Sequence, residues 1–196
     1  MKTFAIGLFA LTLASAAHAD GVNITKDLTS VTVETKGGPV EIMRLQDQEA
    51  VIEGEFARIA RPCPNFCIQP MVPAEGVTPV GELEVLAALQ DDTTRVIDGR
   101  IRPEYEAGTI PGAISVPYNE AADRLGELGC EIDFEGWICE GDLPHVVLFC
   151  NGPWCGQSPT AARNMIEAGF PAENISYFRG GMQSWQMLGL TVVPGN

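Results

Sequence analysis

The chain has 196 residues, a formal net charge of −14, and six cysteines against two histidines. So negative a surface opposes contact with nucleic acid and with anionic lipid, and favours partners that are neutral, basic or small. The length suits one domain of about 100–150 residues with an added element.

Lys2, the apolar run Phe4 to Leu13 and the small residues Ala17-His18-Ala19 predict a signal peptide over residues 1–19, cut after Ala19. The apolar run is shorter than the roughly 20 residues a membrane span needs. A periplasmic or secreted protein with no span after cleavage is therefore expected. Residues 20–78 read as a β-rich extension. Val31 to Thr35 alternates as a half-buried strand does, Gly37-Gly38-Pro39 turns, and Val40 to Met43 returns. Val51 to Ile59 is expected to add another strand. Arg61 to Pro70 is too rich in proline for a helix interior and reads as a turn segment.

From residue 79 to 196 helix and strand alternate. Pro79 to Leu89 predicts a helix capped by Thr78, with Leu83, Leu86 and Leu89 inward. Strands are expected at Arg95–Asp98, Ala113–Val116, Val146–Phe149 and Ile175–Phe178. Helices are expected at Asn119–Leu128, Ser158–Ala168 with Gly169 as its stop, and Met182–Leu188. Strands separated by helical segments imply a central parallel sheet flanked by helices, an α/β fold.

The cysteines form three close pairs. In an oxidising compartment Cys63–Cys67 and Cys130–Cys139 are candidate local disulfides, although spacing alone fixes no pairing. Cys63 and Cys67 are half a zinc site at most, and only His145 would outlast the leader, so no metal is expected. Trp137 and Trp185 read as core or lid aromatics.

Cys150 differs from these. It closes the most apolar strand, where open parallel sheets bind ligands. The loop Asn151-Gly152-Pro153-Trp154-Cys155-Gly156-Gln157-Ser158 then runs into a helix start, with Ser158 as expected N-cap and Pro159 in the first turn. Inward main-chain N–H groups and a helix N-terminus make an anion cradle, which should lower the pKa of Cys150. A buried inert thiol would not explain so long a glycine-containing loop.

Three separated motifs make residues 79–196 resemble a rhodanese-like domain. The first is Val96-Ile97-Asp98-Gly99-Arg100 with Glu104-Tyr105 and Gly108-Thr109-Ile110-Pro111-Gly112-Ala113, similar to the family's opening signature, with Thr109 where His is usual. The second is the Cys150 loop. The third is Arg179-Gly180-Gly181-Met182-Gln183-Ser184-Trp185. The resemblance implies a sulfurtransferase, without cofactor, in which Cys150 takes a sulfane sulfur from a small donor and passes it to a thiol acceptor; a periplasmic protein is a further candidate partner. It implies that Asn151 to Ser158 cradle the sulfur and that Asp98 and Arg100 brace the site, an ion pair more structural than catalytic. The loop reaches Ser158 late and has Gln157 where Arg is frequent, so a larger and less basic pocket is expected. Cys155 is a candidate resolving thiol, or the partner of Cys150 in a resting disulfide.

Two other classes stay in view. A thiol–disulfide redox protein would use Cys150 and Cys155 directly. A silent binding module would dock partners through the extension. A phosphatase on the same scaffold is disfavoured, because Phe149 and Gly156 stand where its His and Arg would be.

Overall fold

The computed structural model describes residues 21–196; the expected leader and its cleavage point lie outside the described residues. The extension opens with a hairpin of β1 (Ser30–Thr35) and β2 (Gly38–Met43), paired antiparallel from Ser30–Met43 to Thr35–Gly38. Val31, Val33 and Ile42 are its buried face. The strand expected over Val51–Ile59 does not form. Gly54 is left-handed at φ +68, Gly54–Ala57 makes a 3-10 turn, and Val51 and Ile59 are exposed without a strand beside them.

The proline-rich segment is irregular, as its composition requires, and a Cys63–Cys67 disulfide closes it. Next comes β3 (Thr78–Pro79). This corrects the expected helix start: Thr78 and Pro79 are sheet residues, and α1 (Glu82–Ala88) begins after Gly81, whose N–H is accepted by Glu84 Oε2 at 2.9 Å. Its buried residues are Val85 and Leu86, with Leu89 partly buried beside them, while Leu83 is exposed, since the inward stripe follows the 85, 86, 89 spacing.

The next elements are β4 (Thr94–Asp98), the short helix α2 (Arg102–Ala107) and β5 (Ile114–Ser115). The helix expected over Asn119–Leu128 is instead a series of tight turns. Glu120 N–H bonds to Pro117 O, Asp123 N–H to Glu120 O and Glu127 N–H to Arg124 O, and only Leu125–Leu128 reaches a 3-10 turn. A small hairpin of β6 (Glu131–Ile132) and β7 (Trp137–Ile138) follows, clamped by the Cys130–Cys139 disulfide. The chain ends with β8 (His145–Phe149), α3 (Gln157–Glu167), β9 (Ile175–Phe178) and α4 (Gly181–Met187).

The main sheet runs β3-β9-β8-β4-β5, all neighbours parallel. Both faces are covered, so its central strands send apolar side chains to either side. Ile97, Val146, Leu148 and Ile175 pack with Ala161, Ala162 and Met165 of α3. Val96, Val147, Phe149 and Phe178 pack on the other side with Val85 and Leu86 of α1, Met182 and Trp185 of α4, and Val31, Val33 and Ile42 of the hairpin. The extension therefore shares the core of the sheet, and a boundary between residues 78 and 79 runs through β3. No helix among the described residues is long and apolar enough to cross a membrane.

Candidate active site beyond β8

Phe149, the last residue of β8, lies in register with Asp98 on β4 and Phe178 on β9. Cys150 thus sits beyond the carboxyl ends of three central strands. Two amides at the start of α4 fix the loop that follows: Met182 N–H donates to Cys150 O at 2.9 Å and Gln183 N–H to Asn151 O at 3.0 Å. These donors have no partner inside their own helix. Gly181 permits the approach. It is left-handed at φ +52, and a Cβ there would collide with Cys150 O. Cys155 N–H donates to Gly152 O at 2.9 Å, which folds the loop inward. Gly156, not Ser158, is the N-cap of α3. Ser158 lies inside the first turn, where its buried hydroxyl stands beside Cys150 Sγ rather than capping an amide.

Both sulfurs are free thiols, with Cys150 2% and Cys155 4% exposed. Cys150 Sγ donates to Cys155 O at 3.3 Å. The main-chain N–H groups of Gln157 and Asn151 face Cys155 Sγ, joined by Asn151 Nδ2 at 3.9 Å. Burial pushes the Cys150 thiol well up, and Cys155 beside it adds to the rise against the weaker opposing pull of the Ser158 N–H and hydroxyl. The Cys150 thiol beside it brings Cys155 down to about 7, aided by those two amides and opposed by burial and the nearby Glu104 carboxylate. The two thiols share their titration, with Cys150 pushed up and Cys155 pulled down. The expectation that the cradle lowers Cys150 is corrected: burial outweighs the Ser158 amide that faces it, while the amides of Gln157 and Asn151 face the second sulfur.

Asp98 and Arg100 form a buried bidentate pair. Arg100 Nε lies 2.9 Å from Asp98 Oδ1, and Arg100 Nη2 lies 2.6 Å from Oδ2. Thr109, at the position where the motif usually carries His, donates its hydroxyl to Asp98 Oδ2 at 2.7 Å. Arg100 also donates to Gly108 O at 2.5 Å and to Asn151 Oδ1 at 3.4 Å. The pair therefore reaches the loop through Asn151.

The extension lies against the outside of the loop. The Arg61 guanidinium stacks 3.7 Å from the centre of the Trp154 ring and pairs with Glu55 at 2.6 Å. Phe66 meets the same indole edge-on at 5.5 Å. Gln69 N–H donates to Pro153 O at 2.8 Å, and Arg179 Nε to Gln69 O at 3.0 Å. Trp154 Nε1 donates to Gln183 Oε1 at 2.6 Å, and Gln183 Nε2 to Phe56 O at 3.2 Å. In place of the larger pocket expected from the long loop, the structure buries both sulfurs, with Arg61, Phe66 and Gln69 of the extension held against the loop. The loop does lack a cation of its own. Gln157 donates to Glu104 Oε2 at 3.2 Å.

The residues singled out in sequence converge: Asn151, Gln157 and Ser158 face the sulfurs of Cys150 and Cys155, Gly156 is the N-cap of α3, and Asp98 and Arg100 stand behind Asn151. Trp154 and Pro153 face the extension instead. Cys63 and Cys67 are joined to each other, as are Cys130 and Cys139. Sequence reasoning missed Arg61, Phe66, Gln69 and Gln183, whose contacts with the loop span the chain and leave no local pattern.

Residues 82–188 match the rhodanese-like domain family. The HTH-type transcriptional regulator Rv0324 of Mycobacterium tuberculosis is 31% identical over 196 residues, covering 91% of this chain and 77% of the regulator. Among solved structures, the thiosulfate sulfurtransferase of Pseudomonas aeruginosa is 24% identical with a TM-score of 0.41, covering 59% of this chain and 19% of that one. The human single-domain sulfurtransferase TSTD1 is 23% identical with a TM-score of 0.41, covering 55% and 93%.

Proposed function

The chain belongs to the rhodanese-like domain family, and from that premise we propose that it is a sulfurtransferase whose carrier is Cys150. The carrying observation is the placement of Cys150 beyond β8, its S–H bonded into a loop whose second thiol ionises near neutrality. Cys155 then serves as the adjacent base. As Cys150 attacks the sulfane sulfur of a small persulfide, its proton passes to Cys155 and on to the departing thiolate. The products are a Cys150 persulfide and a free thiol. A thiolate acceptor attacking the outer sulfur returns Cys150 to its starting state. The lack of a cation on the loop favours a persulfide donor over the dianion thiosulfate.

Reduced protein treated with glutathione persulfide is expected to take one sulfane sulfur from it and release one equivalent of glutathione, which Cys150→Ser abolishes; mass spectrometry of the donor reads its loss of about 32 Da. Uptake undiminished in Cys150→Ser would overturn the assignment.

The two free thiols side by side favour a second reading, thiol–disulfide exchange. Insulin reduction without sulfur uptake would select it. The regulator among the relatives speaks for binding instead of turnover, and failure of both assays would select that. We further propose export to the periplasm or beyond, on the leader-like residues 1–19. N-terminal sequencing of protein from a periplasmic extract should begin at Asp20; a start at Met1 would refute export by cleavage.

A further inference from the structure

The buried ion pair of the first motif ends on the wrong sulfur for a bystander. Thr109 and Arg100 both donate to Asp98, Arg100 donates to Asn151 Oδ1, and Asn151 Nδ2 faces Cys155 Sγ. A buried free cysteine without a role behaves as a small apolar residue and needs no donors. Cys155 instead draws an amide side chain held by a buried guanidinium, together with the main-chain N–H groups of Asn151 and Gln157. Donors gathered on a sulfur stabilise its anion. The inward turn made by Cys155 N–H on Gly152 O then sets that sulfur within hydrogen-bonding reach of Cys150.

We propose that Cys155 is a second catalytic thiol, which discharges the Cys150 persulfide and leaves a Cys150–Cys155 disulfide. This rests on the carrier role of Cys150. The Cys155 thiolate attacks Cys150 Sγ, forming the disulfide bond and breaking the bond between Sγ and the outer sulfur, which departs as hydrosulfide. The outer sulfur is reduced by two electrons, and the two cysteine sulfurs are together oxidised by two. An external dithiol resets the pair, becoming a disulfide itself. The product is sulfide, and the co-substrate class is a dithiol. Asn151 is a positioning residue for this step, aimed by Arg100 and Asp98.

The test loads reduced protein with glutathione persulfide, removes the excess by rapid gel filtration, and follows mass and released sulfide. Wild type is expected to release one equivalent of sulfide and to lose about 2 Da, with the bridge mapped to Cys150 and Cys155. Cys155→Ser and Cys155→Ala should both load more slowly than wild type and, once loaded, hold the gain of about 32 Da on Cys150 and release none. Asn151→Ala should reach the wild-type end point about tenfold more slowly at pH 7, with its rate profile displaced to higher pH. A stable Cys150 persulfide in wild type would overturn the inference and leave the carrier role standing. So would sulfide release undiminished in Cys155→Ser. If no form of the protein takes up sulfur, the carrier role fails and the inference falls with it.

Discussion

Asp98 has no exposed surface, and its oxygens meet donors from Arg100 and Thr109. Asp98→Ala would leave the Arg100 charge buried and unpaired, so urea unfolding should show a loss of about 3–5 kcal/mol. Thr109→Val removes one donor to a charged acceptor and should cost about 1.5–3 kcal/mol. The sulfurs carry a pH signature with a definite sign. Cys155 titrates near 7, so its alkylation rate should rise as pH climbs through that value and level off above it. A flat rate between pH 5 and 8 would contradict that titration. The position of Cys150 was legible in the sequence because an apolar strand followed by a glycine-containing loop is a local pattern. Which sulfur ionises was not, because it depends on where the N–H groups of Asn151 and Gln157 point once the loop has folded.

At the scale of elements, legibility followed the range of the interactions. β8 was readable from the unbroken apolar run Val146–Phe149, and β9 from a short, largely apolar stretch bounded by turn residues. The expected helix over Asn119–Leu128 failed because its amides bond three residues back, with Gly126 in its midst and Arg124 donating to Ser115 O at 3.0 Å. The start of α1 was misplaced because Thr78 and Pro79 pair with Ser176 and Tyr177 of β9, a partner nearly a hundred residues away. The segment 54–70 shows the same limit. Its grip on the loop centres on Trp154, which stacks with Arg61 and meets Phe66. A cation–π contact and an aromatic pair together contribute about 1–3 kcal/mol. Trp154→Ala should therefore raise the iodoacetamide labelling rate of the two buried cysteines by about 10- to 100-fold. An unchanged rate would show that the segment does not limit access.

The molecule as a whole is one core with two contributors. Val31, Val33 and Ile42 of the hairpin pack in the same cluster as Phe149, Phe178 and Trp185. A chain beginning at Thr78 should expose that face, bind a hydrophobic dye and lose its sharp melting transition; a cooperative melt in the shortened chain would show the hairpin to be dispensable. The shared core also bears on chemistry in time. Both sulfurs are buried in a loop that the extension grips at Trp154 and Pro153. A reagent must then wait for the grip to loosen. Once its concentration outpaces reclosure, adding more brings no faster reaction, and the rate settles at the frequency of opening. Electrophiles of unlike structure should reach the same plateau, a clock set by the protein rather than by the chemistry brought to it.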